Sequence, residues 1–489
     1  MDQPPTLDAD TAWQALQARD ARFDGRMFVG VTSTGIYCRP ICRVRLPRRA
    51  NCRFFDSAAR AEHAGFRPCL RCRPELAPGL SLMDSSASLA QAAARMIDAA
   101  VQAGEAPAMP ALAARLGVTD RHLRRIFVAE HGVNPVEYLT TRRLLLAKQL
   151  LSDTAQPITQ VALASGFASL RRFNAAFVER YRLSPSRLRR NGAESLPAEP
   201  SALRIRLGFR PPFDAPALFG FLDRRAMAGV ELVRDERYAR SLRLRHGRQD
   251  LVGWLGVQVD AARCELVVDA APVLAPALGL LSARLRDAFD LDADPALIDP
   301  VLARLPLASR PGLRLPGSLD GFEIAARVIL GQQVTVKAAR TLAQRLVERF
   351  GKPVATPWPE ITRLFPSAAA IAAATPEAIG TLGIVRQRVR ALQALAVALA
   401  DGSLRLEHGA EARPVIEQLQ ALPGIGPWSA QLIAMRTLGW RDAWPSSDVG
   451  LWQALGSRDP KHIDALAEGW RPFRSHAVMR LWHELETAA

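Results

Sequence analysis

Apolar positions recur at spacings of three and four in Leu112-Ala113-Leu116 and in Leu144-Leu145-Ala147-Leu151, a period that predicts helices throughout residues 84 to 191. From Leu203 to about Val268 the period falls to two. Ala239-Arg240-Ser241-Leu242-Arg243-Leu244-Arg245 and Cys264-Glu265-Leu266-Val267-Val268-Asp269 alternate, which predicts half-buried strands. Beyond Phe322 long Ala/Leu-rich helices return and continue to the end. The first segment is short and rich in Cys and Arg. Breakers cluster at Pro74–Ser88, at Arg190–Ser201 and near Arg310–Gly317. They divide the chain into residues 1–79, 84–191, 201–312 and 313–489, in keeping with the three or four domains that 489 residues suggest.

The helical second segment repeats itself. Leu112-Ala113-x-x-x-Gly117-Val118 returns about 50 residues later as Val161-Ala162-x-x-x-Gly166-Phe167, each followed by a basic helix ending in Phe127 or Phe177 and then by Asn134-Pro135 or Ser184-Pro185. Two helix-turn-helix units are implied. Their second helices run from about Thr119 through Phe127, carrying Arg121, His122, Arg124 and Arg125, and from about Ser169 through Phe177, carrying Arg171, Arg172 and Asn174. In a major groove, Arg reads guanine edges and Asn adenine edges.

Charge strengthens that reading. Lys and Arg number 64 against 48 Asp and Glu, a net +16 that makes a polyanionic partner the first expectation. No acidic residue falls between Asp24 and Asp56, where Arg26, Arg39, Arg43, Arg45, Arg48, Arg49 and Arg53 all lie. With 49% hydrophobic and 23% charged residues the composition is globular, neither disordered nor membrane-like. No uncharged apolar run reaches about 18 residues, and Met1-Asp2-Gln3-Pro4-Pro5 lacks a signal-peptide pattern. A soluble cytoplasmic protein with no membrane partner is expected.

Four of six cysteines fall in two close pairs, Cys38-x-x-x-Cys42 and Cys69-x-x-Cys72. Outside an oxidising compartment such pairs bind zinc more often than they form disulfides, and the metal could be purely structural. Cys52 and Cys264 have no such pairing and read as buried or idle thiols. The runs Gly35-Ile36-Tyr37-Cys38-Arg39-Pro40-x-Cys42-Arg43 and Gly65-Phe66-Arg67-Pro68-Cys69-x-Arg71-Cys72-x-Pro74 closely resemble the methyl-acceptor domain of the Ada family of alkylation-response regulators. That resemblance implies one Zn²⁺ on Cys38, Cys42, Cys69 and Cys72, with Cys38 accepting the methyl group of a DNA methyl phosphotriester while arginines such as Arg39, Arg43 and Arg45 hold the backbone. It continues through residues 84–191, which look like an AraC-type DNA-binding domain. It therefore implies damage-responsive activation of transcription, with promoter DNA and RNA polymerase as partners.

Leu422-Pro423-Gly424-Ile425-Gly426-Pro427-Trp428-Ser429-Ala430 reads as a tight glycine turn between apolar helices, able to point backbone N–H groups at a phosphate. Together with Trp444-Pro445-Ser446-Ser447-Asp448 it resembles the helix-hairpin-helix DNA glycosylases. Tyr238-Ala239-Arg240-Ser241-Leu242, Arg310-Pro311-Gly312-Leu313-Arg314-Leu315-Pro316-Gly317, Ile329-Leu330-Gly331-Gln332-Gln333-Val334 and Arg471-Pro472-x-Arg474-Ser475 bring the match close to AlkA-type 3-methyladenine glycosylase II over Leu203 to about Glu486. The resemblance implies Asp448 as catalytic aspartate, Trp428 and Trp482 as walls of a base pocket, and Gly424, Ile425, Gly426 and basic residues such as Arg474 as DNA contacts. Duplex DNA with alkylated bases or methyl phosphotriesters is then the substrate. These residue types suit the chemistry, since a carboxylate stabilises an oxocarbenium-like sugar and indole faces attract a cationic base.

Departures narrow the expectation. Trp428 stands where bifunctional relatives carry a Schiff-base lysine, so strand cleavage is not expected. No cysteine follows Cys264, which excludes a four-cysteine iron–sulfur cluster there. Ser447-Asp448-Val449 lacks the second acid and the aromatic residue often found beside the catalytic aspartate. No Pro-Cys-His-Arg motif occurs, so direct reversal of O6-methylguanine is not expected. The expected architecture is multidomain: a small α+β zinc domain, an all-α tandem helix-turn-helix domain, an α+β domain with an antiparallel sheet and an all-α helix-hairpin-helix glycosylase domain. The expected protein is a glycosylase fused to a sensor that activates transcription; the alternative is a glycosylase that its N-terminal half only tethers to DNA.

Overall fold

A computed structural model describes residues 9–20, 23–24, 27–55, 58–72, 74, 82–102, 107–153, 156–191, 202–247 and 249–488. The sequence-derived limits at 1, 79, 201 and 489, together with Arg26 and Asp56, lie outside them. Chain contacts gather two units, Met1–Ala100 with Ala106–Arg142, and Val101–Glu105 with Arg143–Ala489. Among the described residues no helix is long and apolar enough to cross a membrane.

In the first unit, strands β1 (Phe28–Val31), β2 (Ile36–Cys38), β3 (Cys52–Phe55) and β4 (Arg67–Pro68) form a sheet in the order β3-β1-β2-β4. Alternate residues of β1 face opposite sides. Phe28 packs with Tyr37, Ala61 and Phe66, while Val29 packs with Ala12, Leu16 and the buried cysteines. The first helix-turn-helix unit follows, in helices Met109–Arg115 and Asp120–His131.

Helices Ile158–Ala164 and Leu170–Tyr181 repeat that arrangement at the head of the second unit. A fully antiparallel sheet follows. Its strands β5 (Leu203–Gly208), β6 (Glu231–Arg234), β7 (Arg237–His246), β8 (Gln249–Asp260) and β9 (Glu265–Ala270) run in the order β5-β9-β8-β7-β6. The predicted alternation holds in β5, where Leu203, Ile205 and Leu207 are buried on one face and Arg204 pairs with Asp269 of β9 on the other. In β7 it does not: Ala239, Arg240, Ser241 and Leu242 are all buried, because Arg240 is paired with Glu323 and Ser241 donates to the Arg363 carbonyl.

Helices from Gly321–Leu330 to Arg474–Ala488 enclose the largest apolar core, which also takes in Phe221, Met227 and Val230 from the sheet segment. Residues 310–317 form the seam between the two parts. Arg314, only 1% exposed, has no carboxylate partner among the described residues and donates instead to the backbone carbonyls of Asp290 (3.1 Å) and Pro212 (2.8 Å). Its guanidinium lies 4.8 Å from the Phe213 ring centre.

Candidate functional site

Parallel pairing of β2 with β4 sets Ile36 opposite Arg67 and Tyr37 opposite Pro68, so each strand delivers a cysteine, Cys38 and Cys69, at the same end. The Cys69 N–H donates to the Tyr37 carbonyl (3.0 Å) and the Arg39 N–H to Cys72 Sγ (3.3 Å), folding both cysteine loops inward. The four sulfurs of Cys38, Cys42, Cys69 and Cys72 lie within 4.8 Å of one another, the first three buried. A tetrahedral zinc with bonds of about 2.3 Å needs sulfurs about 3.8 Å apart, so the set fits one zinc ion.

Electrostatics agree with a cation at the centre. The hydrogen bond from Cys38 to Cys72, with burial and the neighbouring thiolates, holds Cys38 far above the usual thiol range. That same bond draws Cys72 down to about 5, while burial pushes Cys42 up to about 11. Four crowded sulfurs cannot all ionise unless positive charge is supplied.

The arginines nearby divide. Arg43 and Arg45 are exposed. Arg39, grouped with them on sequence, is turned inward onto buried Asp24 (2.8 Å) and the Cys72 carbonyl (3.2 Å), bonds that tie it to the cluster. Asp24 is the partner that counting charges along the chain overlooked.

Each helix-turn-helix places its basic helix by the same devices. Thr119 Oγ1 accepts from the His122 N–H (3.2 Å) and Ser169 Oγ from the Arg172 N–H (3.3 Å), capping the second helix of each pair. Gly117 (φ +69°) and Gly166 (φ +79°) make the turns. Leu123, Ile126 and Phe127 are buried in one unit, Phe173 and Phe177 in the other. Arg121, Arg124, Arg125, Arg171 and Arg172 are left exposed, with His122 and Asn174 half-buried. Arg124 pairs with Asp120 (2.9 Å) and Arg125 meets the His122 ring (3.1 Å).

In the second unit, helices Ala412–Gln420 and Pro427–Thr437 flank the glycine hairpin. Gly424 adopts φ +79°, and a Cβ there would lie 3.0 Å from Ala391 Cβ. Ile425 is buried beneath, and Gly426 opens the second helix with no side-chain cap. Its first-turn N–H groups are free for an anion. Gln332 pins the hairpin, donating to the Gly424 carbonyl (2.9 Å) and to Ser429 Oγ (2.8 Å).

The hairpin rims a cleft of about 1350 Å³ that Asp448, Trp428 and Trp482 also line. Asp448, 9% exposed, caps helix Val449–Leu455, its Oδ1 accepting from the Leu451 N–H (3.0 Å) and the Trp482 Nε1–H (3.0 Å). Its Oδ2 accepts from the Trp428 Nε1–H (2.9 Å). One carboxylate thus orients both indoles. A Cβ on Gly450 would stand 3.0 Å from Asp448 Oδ1 and 3.3 Å from Trp482.

Gln332 and Gly450 escaped the sequence reading as site residues, since Gln332 appeared only inside a longer motif and Gly450 carries no functional group. Arg474, read as a DNA contact, has a side chain 11% exposed and holds Asp442 through two bonds (2.7 and 2.8 Å), tying the start of its helix to the loop that carries Asp442.

Four family models match in order: the metal binding domain of Ada over residues 11–75, a helix-turn-helix domain over 112–191, the AlkA N-terminal domain over 204–320, and the HhH-GPD superfamily base excision DNA repair protein over 326–465. The chain is 36% identical over 279 residues to the DNA-3-methyladenine glycosylase 2 of Escherichia coli strain K12, covering 57% of this chain and 96% of that protein. It is 31% identical over 182 residues to the bifunctional transcriptional activator/DNA repair enzyme AdaA of Bacillus subtilis strain 168, covering 37% of this chain and 82% of that one. Against the probable bifunctional transcriptional activator/DNA repair enzyme AlkA of Mycobacterium tuberculosis strain CDC 1551 / Oshkosh, identity is 40% over 98% of this chain and 97% of the relative. The chain belongs to the family of bifunctional proteins in which an Ada-type metal-binding and helix-turn-helix half is joined to an AlkA-type glycosylase half.

Proposed function

We propose that this protein excises N-alkylated purines such as 3-methyladenine from duplex DNA, and that its N-terminal half accepts methyl groups from DNA phosphotriesters and then activates transcription. The observation that carries the first part is the carboxylate of Asp448 fixed between two indole N–H groups on the wall of a hairpin-rimmed cleft. The alkylated base leaves the DNA stack and its positive charge lies against Trp428 and Trp482. The N-glycosidic bond breaks with its electron pair going to the base, and Asp448 stabilises the sugar cation that remains. Water adds at the anomeric carbon and releases a proton, leaving an abasic site. Gly424, Ile425 and Gly426 hold the backbone phosphate meanwhile.

In the N-terminal half Cys38 is the acceptor. Cys38, Cys42, Cys69 and Cys72 would hold a zinc ion, whose charge would keep these sulfurs as thiolates at neutral pH. Cys38 Sγ bonds to the methyl carbon as the carbon–oxygen bond breaks, and the electron pair stays on the phosphate, giving a thioether and an ordinary phosphodiester. Arg43 and Arg45 face that phosphate. Methylation removes one of the two net negative charges of a zinc tetrathiolate, so repulsion from DNA falls. Arg121, Arg124, Arg125, Arg171, Arg172 and Asn174 then read a promoter, and RNA polymerase is recruited in the cytoplasm.

The corresponding domains are 1–79, 84–191, 201–312 and 313–489. Incubating purified protein with alkylated duplex DNA, and measuring released bases and cysteine S-methylation together, tests both halves. Release without methylation would leave only a tethered glycosylase; methylation without release would remove the enzyme.

A further inference from the structure

We propose that the inner end of the cleft is an anion subsite, which makes purines whose N-alkyl substituent ends in a carboxylate preferred substrates. The inference rests on the glycosylase reading and adds a substrate class to it. At about 1350 Å³ the cleft exceeds the roughly 300–1,000 Å³ of a pocket for a drug-sized ligand, so one flipped nucleotide leaves part of it free.

Two helices lead from the catalytic end to the free part. Trp428, Leu432 and Arg436 follow one another at four-residue intervals on helix Pro427–Thr437, and Trp482 and Glu486 do so on helix Arg474–Ala488. Each interval is about 6 Å, so Arg436 lies about 12 Å along the helix from Trp428 in the lining of the same cleft.

Charge at that end does not balance. Glu231 and Glu323 are shared by Arg240 and Arg327, and Glu486 by Arg224 and Arg225, which leaves Arg436 with no carboxylate among the described residues. Arg436 Nε donates to the Pro316 carbonyl, and its terminal nitrogens make no hydrogen bond with the described residues. Its guanidinium lies 4.9 Å from the Phe221 ring centre, with Arg225 3.8 Å from the same ring. Burial, with Arg225 and Arg327 nearby, pulls Arg436 down to about 9 against a smaller opposing pull from Glu231, so it is still charged at neutral pH. Arg436 is half-buried in the cleft wall, and a cation there without an ion-pair partner among the described residues attracts an anionic ligand group. The cleft is therefore negative and aromatic at Asp448 and positive at its inner end. An N-alkylpurine with an anionic tail carries the matching pair of charges, whereas a purely cationic base is repelled from the inner end.

The test uses the full-length protein and duplexes carrying a single 7-methylguanine, 7-(carboxymethyl)guanine or 7-(carbamoylmethyl)guanine, the last alike in shape but neutral. We expect kcat/KM for the carboxymethyl base to exceed that for the carbamoylmethyl base by about ten- to a hundredfold, the scale of one hydrogen bond to a charged group. Arg436→Met should bring the ratio near one, and Arg436→Lys should retain part of it. A ratio measured on one preparation does not depend on the fraction folded, and the wild-type comparison needs no variant. Equal values for the two bases with wild-type protein overturn the subsite, and an unchanged ratio in Arg436→Met overturns the assignment to Arg436. Failure to release 3-methyladenine from alkylated duplex in the same assay overturns the glycosylase reading instead.

Discussion

Replacing Asp448 by Asn separates what the carboxylate does for chemistry from what it does for structure. Asp448 accepts three N–H bonds, from Leu451, Trp482 and Trp428. Asn keeps one oxygen, which can still cap the helix and receive the Trp482 N–H, because Asn caps about as well as Asp. Its amide nitrogen must then face the Trp428 N–H, donor against donor. One unsatisfied buried donor costs about 1–3 kcal/mol, so the variant is less stable by that order. Loss of the negative charge beside the developing sugar cation costs about 100- to 1,000-fold in the chemical step. The two effects part company in Asp448→Asn/Trp428→Phe, where the opposing donor is gone: stability returns but rate does not. Single-turnover release of 3-methyladenine, thermal melting and fluorescence anisotropy with abasic duplex measure rate, stability and DNA affinity in turn. Affinity should be unchanged, since Gly424, Ile425 and Gly426 lie outside the substitution. Excision by Asp448→Asn near the wild-type rate would refute the assignment of the chemistry to this carboxylate.

Cys42→Ala should reduce bound zinc from one per chain to none, abolish methyl transfer to Cys38 and loosen the first domain; metal analysis and peptide mass spectrometry check this, and a methyl group on another cysteine would contradict it. Gly450→Ala puts a methyl group 3.0 Å from Asp448 Oδ1. Displacing the reacting groups by a fraction of an ångström should lower kcat about 10- to 100-fold with the fold intact by circular dichroism. Gln332→Ala removes both bonds that pin the glycine hairpin, worth about 0.5–1.5 kcal/mol each, and should weaken duplex affinity while leaving excision at saturating DNA nearly unchanged. Protein methylated by phosphotriester DNA should bind its promoter more tightly than unmethylated protein, with the gap narrowing as salt rises and glycosylase turnover unaltered; equal promoter affinities would leave only a tether.

What could be read from the chain follows the range of the physics that each feature depends on. Local periods predicted the strands about Ala239–Arg245 and Cys264–Asp269; the first lies within an observed strand and the second matches one from Glu265 onward, Cys264 belonging to the turn before it, because alternation is imposed by neighbours two residues apart. The two helix-turn-helix units were legible because a repeated Gly turn and a Thr or Ser cap act within a few residues. The cysteine pairs were legible as chemistry, but their meeting depends on the parallel β2–β4 pairing, a contact across some 30 residues that no local pattern announces. The partners of charged residues were not legible where a distant acid supplies them: Arg39 is paired with Asp24, and Arg474 with Asp442.

The cleft extends the same lesson to function. Asp448, Trp428 and Trp482 could be picked out because their identities match a known chemistry, yet their geometry depends on bonds spanning 20 and 34 residues. Arg436 carries no motif signal, and its importance lies in the carboxylate it lacks. Glu231, Glu323 and Glu486, which neutralise the other arginines, come from a strand and two separate helices of the second unit. A surplus charge in a cavity is a property of the packed set, so only the folded structure could expose it, and only a substrate that carries the opposite charge can reveal what it selects.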